Sequence, residues 1–134
     1  MRRPLVLGAV LALASWPSLA QGPAPVGFTA AQADHGEDVY VASCALCHGA
    51  HMDDAEFAPP LKAAAFRRKW GGKPAAALYG FVKAAMPPGQ AGTLPPEDYA
   101  AVLAFVLQAN GAKPGDKPFP ADPAALGAAV VPAS

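Results

Sequence analysis

The stretch Cys44-Ala45-Leu46-Cys47-His48 constrains this chain most, because it contains the only two cysteines of the 134 residues. Two cysteines separated by two residues, with a histidine directly after the second, form the pattern of c-type haem attachment. In that chemistry the two thiols add to the vinyl groups of haem, and a neutral imidazole nitrogen ligates the iron. We therefore expect Cys44 and Cys47 to tether a haem and His48 to bind its iron.

Three other uses of a cysteine pair compete with this interpretation. A structural zinc site needs about four Cys or His ligands, and the remaining histidines, His35 and His51, lie too close to the motif to form a distant second pair. A thioredoxin-like redox pair needs a surrounding βαβ pattern, and no strand-like run flanks the motif. A short-loop disulfide stays open as an alternative.

The N-terminus has the pattern of a secretory signal peptide over residues 1–20. Arg2 and Arg3 form its charged start, residues 4–16 are uncharged and mostly apolar, and Ser18-Leu19-Ala20 places small residues at a cleavage site. The apolar run is shorter than the roughly 20 residues of a membrane span, so we expect cleavage after Ala20 and no span in the mature chain. An uncleaved anchor is the alternative.

The mature chain is long enough for one domain, which we place at residues 21–111, followed by a tail at 112–134. The tail is rich in proline and alanine without a sustained period, so we expect it to lie extended on the surface. Cleavage removes Arg2 and Arg3 and leaves eight basic residues against ten acidic ones. This mildly acidic balance argues against nucleic acid as a partner.

The pattern of apolar residues predicts an all-α domain. A helix over 30–42 follows Thr29, whose hydroxyl suits an N-cap. Two further helices are predicted over 74–85 and 96–109 from apolar residues at helical spacing. Residues 63–70 are expected to form a short helix or a turn.

The second axial ligand of the iron is predicted to be Met86. Met52 follows His48 by four residues, too near to cross to the other face of a haem, and Met1 leaves with the signal peptide. Met86 lies at the turn Met86-Pro87-Pro88-Gly89, where a side chain is presented outside a helix. A lone methionine also serves as core filler, and an open sixth site would instead permit peroxide or gas chemistry.

Taken in order, these pieces resemble class I monohaem c-type cytochromes over nearly the whole mature chain. The matching features are Gly36 and Tyr40 before the cysteine motif, then Pro59-Pro60-Leu61, Met86-Pro87 and a last helix bearing Phe105. The resemblance implies a cytochrome c-like fold with three main helices and loops around one covalent haem. It also implies that the first and last helices cross where Gly36, Tyr40 and Phe105 meet.

The resemblance further implies roles for three residues around the haem. The carbonyl of Pro59 would accept a hydrogen bond from the second ring nitrogen of His48. Leu61 would pack on the haem, and Trp70 would reach a haem propionate through its indole nitrogen. Core packing is the equal alternative for Trp70.

Finer features are similar to those of bacterial periplasmic cytochromes associated with quinoprotein (PQQ) dehydrogenases. These are Phe57-Ala58-Pro59-Pro60-Leu61, Leu78-Tyr79 and Leu107-Gln108-Ala109-Asn110-Gly111. The similarity implies a periplasmic electron carrier without catalytic residues, whose partners are a quinoprotein dehydrogenase and a terminal oxidase or other cytochrome. The rival interpretation is a haem enzyme subunit with an open sixth site.

Overall fold

The computed structural model describes residues 22–133, so the predicted signal peptide lies outside the described part. This part forms five α-helices: α1 (Ala30–Ser43), α2 (Ala45–His48), α3 (Ala63–Trp70), α4 (Ala75–Ala85) and α5 (Pro96–Ala109). A 3-10 helix, Pro123–Leu126, follows near the C-terminus. None of the helices described is long and apolar enough to cross a bilayer. Residues 22–133 contain no β-strand, which confirms the predicted all-α class.

The predicted helix boundaries agree with the structure to within one residue. Thr29 caps α1, since its Oγ1 accepts a hydrogen bond from the Gln32 amide at 3.2 Å. Helix α4 begins one residue after Pro74, which occupies the N-cap position. Residues 63–70 form a helix, and the cysteine motif forms the single-turn helix α2, which the periodicity did not predict. A four-residue helix is too short for periodicity to detect.

Helices α1 and α5 cross with their backbones in contact. Gly36 is buried at the crossing, and a Cβ there would overlap the carbonyl oxygen of Ala101. The rings of Tyr40 and Phe105 pack beside it with centroids 5.6 Å apart. The contact among Gly36, Tyr40 and Phe105 is therefore confirmed.

The apolar faces of α4 and α5 differ in what they contact. The apolar residues at helical spacing in α5 are all buried, namely Tyr99, Val102, Leu103 and Val106. In α4 Leu78 is likewise buried, but Phe81 is 41% exposed. Phe81 lines a cavity between α4 and the rest of the domain, so α4 serves both the core and that cavity.

The expectation of a tail that lies on the surface is wrong for the C-terminal segment, residues 112–133, because part of it packs into the core. Phe119, Leu126 and Val131 are each at most 3% exposed and belong to the hydrophobic core. Gln32 of α1 pairs with the main chain of Phe119, donating to its carbonyl at 2.9 Å and accepting from its amide at 2.7 Å. These apolar residues are isolated among prolines and alanines and have no regular period, so the sequence pattern could not reveal their burial.

Candidate functional site

A cavity of about 450 Å³ opens beside the cysteine motif. Its walls come from the end of α1, from α2 to α5 and from the loops around residues 59–61 and 86–88. The volume lies in the range of cofactor pockets, which are mostly apolar with a few polar groups. All seven residues predicted for the site line this cavity: Cys44, Cys47, His48, Pro59, Leu61, Trp70 and Met86.

The local fold of the motif places its three chemical groups on one turn. Cys44 is both the C-cap of α1, where its amide donates to the Tyr40 carbonyl at 2.8 Å, and the N-cap of α2. The amides of Cys47 and His48 both donate to the Cys44 carbonyl, at 3.1 and 2.9 Å. Because these bonds close a tight turn, the two thiols and the imidazole are presented to the same cavity.

The Cys44 thiol does not have the lowered pKa of a reactive cysteine. Burial raises the pKa of the Cys44 thiol to about 11, and repulsion from Cys47 adds to the effect. A reactive Cys-x-x-C pair instead needs a lowered thiol pKa. Among residues 22–133, no three His, Cys, Asp or Glu side chains come together as a metal site. The raised pKa of the Cys44 thiol thus argues against the redox-pair interpretation.

His48 is held in one orientation by the loop that follows it. Its Nδ1 lies 3.0 Å from the carbonyl oxygen of Pro59, so Nδ1 carries the proton and donates it. The side chain is buried, with the residue 8% exposed. The loop is itself anchored, because the Leu61 amide donates to the Met52 carbonyl at 2.8 Å and Asn110 Nδ2 donates to the Leu61 carbonyl at 2.9 Å. Nε2 of His48 is therefore the ring nitrogen with a free lone pair.

The two methionines of the described part lie in different places. Met86 ends α4 in an extended backbone conformation and lines the main cavity. Met52 is buried but lies at a separate hollow of about 280 Å³, beside Phe105 and Ala109. Only Met86 of these two therefore brings a thioether to the cavity of the cysteine motif.

An aromatic pair with a cation beside it also lines the cavity. Trp70 packs on Phe81 with ring centroids 5.4 Å apart. Lys69 Nζ lies 4.7 Å from the Phe81 centroid and 5.4 Å from that of Trp70, within cation–π range. The basic cluster Arg67-Arg68-Lys69 suits pairing with haem propionates or docking on an acidic partner, with a solvated surface as the alternative. No pattern in the sequence places Phe81 beside Lys69, because their contact depends on how α3 packs against α4.

The donor set and the shape fit a covalently held haem. Two thiols, an imidazole with a fixed tautomer and a thioether share one largely apolar cavity. A family model described as "Cytochrome C oxidase, cbb3-type, subunit III" matches residues 31–106, which is more than half of the chain. The chain belongs to this family of c-type cytochrome domains. A comparison with curated proteins gave no match.

Membership in the family identifies the cofactor as covalently bound haem c. The match runs from the start of α1 nearly to the end of α5, so it contains the cysteine motif, the Pro59 loop and Met86. It ends before the C-terminal segment that packs against the core. A haem-based electron-transfer role follows for this c-type cytochrome, and its partners and axial ligands are treated below.

Proposed function

We propose that this c-type cytochrome carries single electrons in the periplasm on a haem c with histidine and methionine as axial ligands. The observation that carries the proposal is that His48 and Met86, from distant parts of the chain, line one apolar cavity with both cysteines. A neutral sulfur ligand favours the ferrous form and raises the reduction potential. This ligand pair therefore suits an electron carrier better than an enzyme that must leave the iron open.

Each polar group at the cavity has a specific task in this proposal. When bound, haem c supplies a one-electron couple at its iron. Cys44 and Cys47 would each add sulfur and hydrogen across one vinyl group, which needs no oxidant. His48 would ligate through Nε2, because the Nδ1 proton is donated to Pro59. Met86 would provide the second axial ligand.

The cavity walls would control potential and solvent access. Leu61 from the loop after Pro60 and Trp70 from α3 both line the cavity and are only partly exposed. Apolar walls disfavour the extra positive charge of ferric iron, which also raises the potential. Trp70 would in addition donate its indole N–H to a haem propionate, the role implied by the family resemblance.

The proposed partners are redox proteins on either side of this carrier. The similarity of three short segments to cytochromes associated with PQQ dehydrogenases supports a quinoprotein dehydrogenase as electron donor. The description of the matching family names an oxidase, which supports a terminal oxidase or another cytochrome as acceptor. Stopped-flow reduction by a purified PQQ dehydrogenase tests the donor, and a rate no faster than with an unrelated flavoprotein would rule it out.

The axial ligand is tested by comparing Met86→Ala with Met52→Ala. Both changes remove one thioether, but only Met86 lines the cavity. The oxidised wild type should show the near-infrared charge-transfer band of a methionine–iron bond. Met86→Ala should abolish the band and allow the reduced protein to bind carbon monoxide rapidly, whereas Met52→Ala should preserve the spectrum.

Two results would overturn the ligand assignment. One is an unchanged band in Met86→Ala. The other is rapid carbon monoxide binding to the reduced wild type, which would favour the rival function of a haem enzyme subunit with an open sixth site.

Export to the periplasm is tested by the mass of the mature protein. We expect residues 21–134 plus one haem, because cleavage after Ala20 removes the proposed signal peptide. A mature chain that retains residues 1–20 would show that the N-terminus serves as an anchor instead.

A further inference from the structure

The hydroxyl group of Tyr99 joins the two ends of the loop that follows Met86. It donates a hydrogen bond to the Met86 carbonyl at 2.9 Å and accepts one from the Gly92 amide at 2.9 Å. Shorter-range bonds shape the loop locally, such as that from the Gln90 amide to the Pro87 carbonyl at 2.9 Å. The Tyr99 bonds differ from these because they connect the loop to a helix.

The side chain of Tyr99 is itself fixed in the core, so it can restrict the movement of the loop. It lies in the first turns of α5, is 1% exposed, and its ring meets that of Tyr79 edge to face with centroids 6.4 Å apart. Helix α5 is itself fixed, because its backbone contacts that of α1 at Gly36. By contrast, most of the loop from Pro88 to Thr93 is exposed. The position of the loop relative to the core thus depends on its hydrogen bonds to Tyr99 of α5.

We propose that Tyr99 is a positioning residue that keeps Met86 on the haem iron by fixing the loop to α5. This inference rests on the proposed function, in which Met86 is the sixth ligand. Met86 is the C-cap of α4, where the helix passes into the loop. A movement of the loop that carries the Met86 main chain away from α5 breaks or stretches the two bonds to Tyr99, so these bonds favour the loop position in which Met86 lines the cavity.

The variant that tests this role is Tyr99→Phe, with Tyr79→Phe as matched control. Tyr79 is also fully buried, and its hydroxyl donates to the Ala121 carbonyl at 2.7 Å, away from Met86. Each change removes one buried phenolic oxygen and leaves the ring in place. A difference between the two variants therefore reports the loop contact and not the general loss of a buried hydrogen bond.

The readout is the affinity of the oxidised holoprotein for imidazole, which must displace the methionine to bind. A net hydrogen bond changes such an equilibrium by about twofold to tenfold, and Tyr99 makes two. We expect Tyr99→Phe to bind imidazole about tenfold more tightly than the wild type and Tyr79→Phe to match the wild type. Both variants should keep the methionine–iron band, and denaturant unfolding should show a similar loss of stability in each.

The proposal would be overturned if Tyr99→Phe binds imidazole like the wild type, or if Tyr79→Phe gains as much affinity. In either case the proposed function would still hold if the wild type shows the methionine–iron band and Met86→Ala lacks it. If the wild type lacks the band and Met86→Ala leaves imidazole affinity unchanged, the methionine assignment fails and the role of Tyr99 fails with it.

Discussion

The Cα of Gly36 in α1 lies directly against the main-chain carbonyl of Ala101 in α5. A Cβ at this position would overlap that oxygen and would lie 3.0 Å from the Cβ of Phe105. The two nearest atoms are the main-chain oxygen and carbon of Ala101, and main-chain atoms cannot rotate away as a flexible side chain could. The distance between the two helices that frame the domain is therefore set by the lack of a side chain at one residue.

Gly36→Ala should destabilise the protein by about 2 kcal/mol or more, because the helices must separate to make room. The gain of up to ~1 kcal/mol from better helix propensity only partly offsets this cost. Gly80→Ala in α4 is the control, since a Cβ there meets nothing within 4 Å and should stabilise by about 0.5–1 kcal/mol. Denaturant unfolding of both variants provides the measurement, and equal effects would contradict the crossing geometry.

The C-terminal segment should contribute strongly to stability, although the family match does not extend to it. Phe119 is 2% exposed and its ring stacks on Tyr79 with centroids 6.3 Å apart. Phe119→Ala should cost about 3–5 kcal/mol through lost burial and the remaining cavity. Phe57→Ala removes the same group from a residue that is 85% exposed and should stay within about 0.5 kcal/mol of the wild type. A small effect of Phe119→Ala in thermal unfolding would mean that the segment is not part of the core.

Asn110 should slow the local opening of the loop around Pro59 and Leu61, which orients His48. Its Nδ2 donates to the carbonyls of Leu61 and Val106, at 2.9 and 2.8 Å. Asn110→Ala removes both bonds and should lower stability by about 1–2 kcal/mol. Amide hydrogen exchange should also become faster at Leu61, whose N–H bonds to Met52 within the same loop.

Gln108→Ala is the control for Asn110, because Gln108 is an exposed residue in the last turn of α5 and Asn110 is the C-cap of that helix. It should leave exchange at Leu61 unchanged. If both variants accelerate exchange equally, the effect comes from fraying of α5 and not from the bond between Asn110 and the loop.

Ionisation of Tyr40 should lower the free energy of unfolding at alkaline pH. Its hydroxyl donates to the Gly49 carbonyl at 2.6 Å, and burial raises the pKa of Tyr40 to about 12, with repulsion from the Asp54 carboxylate adding to the shift. The phenol of the unfolded chain ionises near pH 10. Between about pH 10 and 12 the unfolded chain releases a proton that the folded protein retains, so rising pH favours unfolding.

Tyr40→Phe lacks this titration and isolates its contribution. At pH 7 the variant should be less stable than the wild type by about 1 kcal/mol through the lost hydrogen bond. The stability difference should shrink between pH 9 and pH 11, as measured by denaturant unfolding at each pH. A difference that stays constant over this range would show that the phenol titrates normally.

Features of this protein that depend on neighbours along the chain could be predicted from the order of its residues. Residues three or four positions apart share a helix face, so the three main helices were predicted to within one residue, and a capping hydroxyl one turn away marked Thr29. The cysteine motif is likewise local, which is why haem c was predicted and is supported by the family match. The roles of the individual site residues stay predictions.

Contacts between groups that are distant in the sequence became known from the folded chain alone. The stacking of Phe119 on Tyr79, the bonds from Tyr99 to the Met86 loop and the contact of Lys69 with Phe81 each join residues from different parts of the fold. Such contacts depend on the angle and distance at which helices pack, and those quantities arise from the whole core at once. A pattern along the chain does not contain them, because the same apolar stripe can pack against many partners.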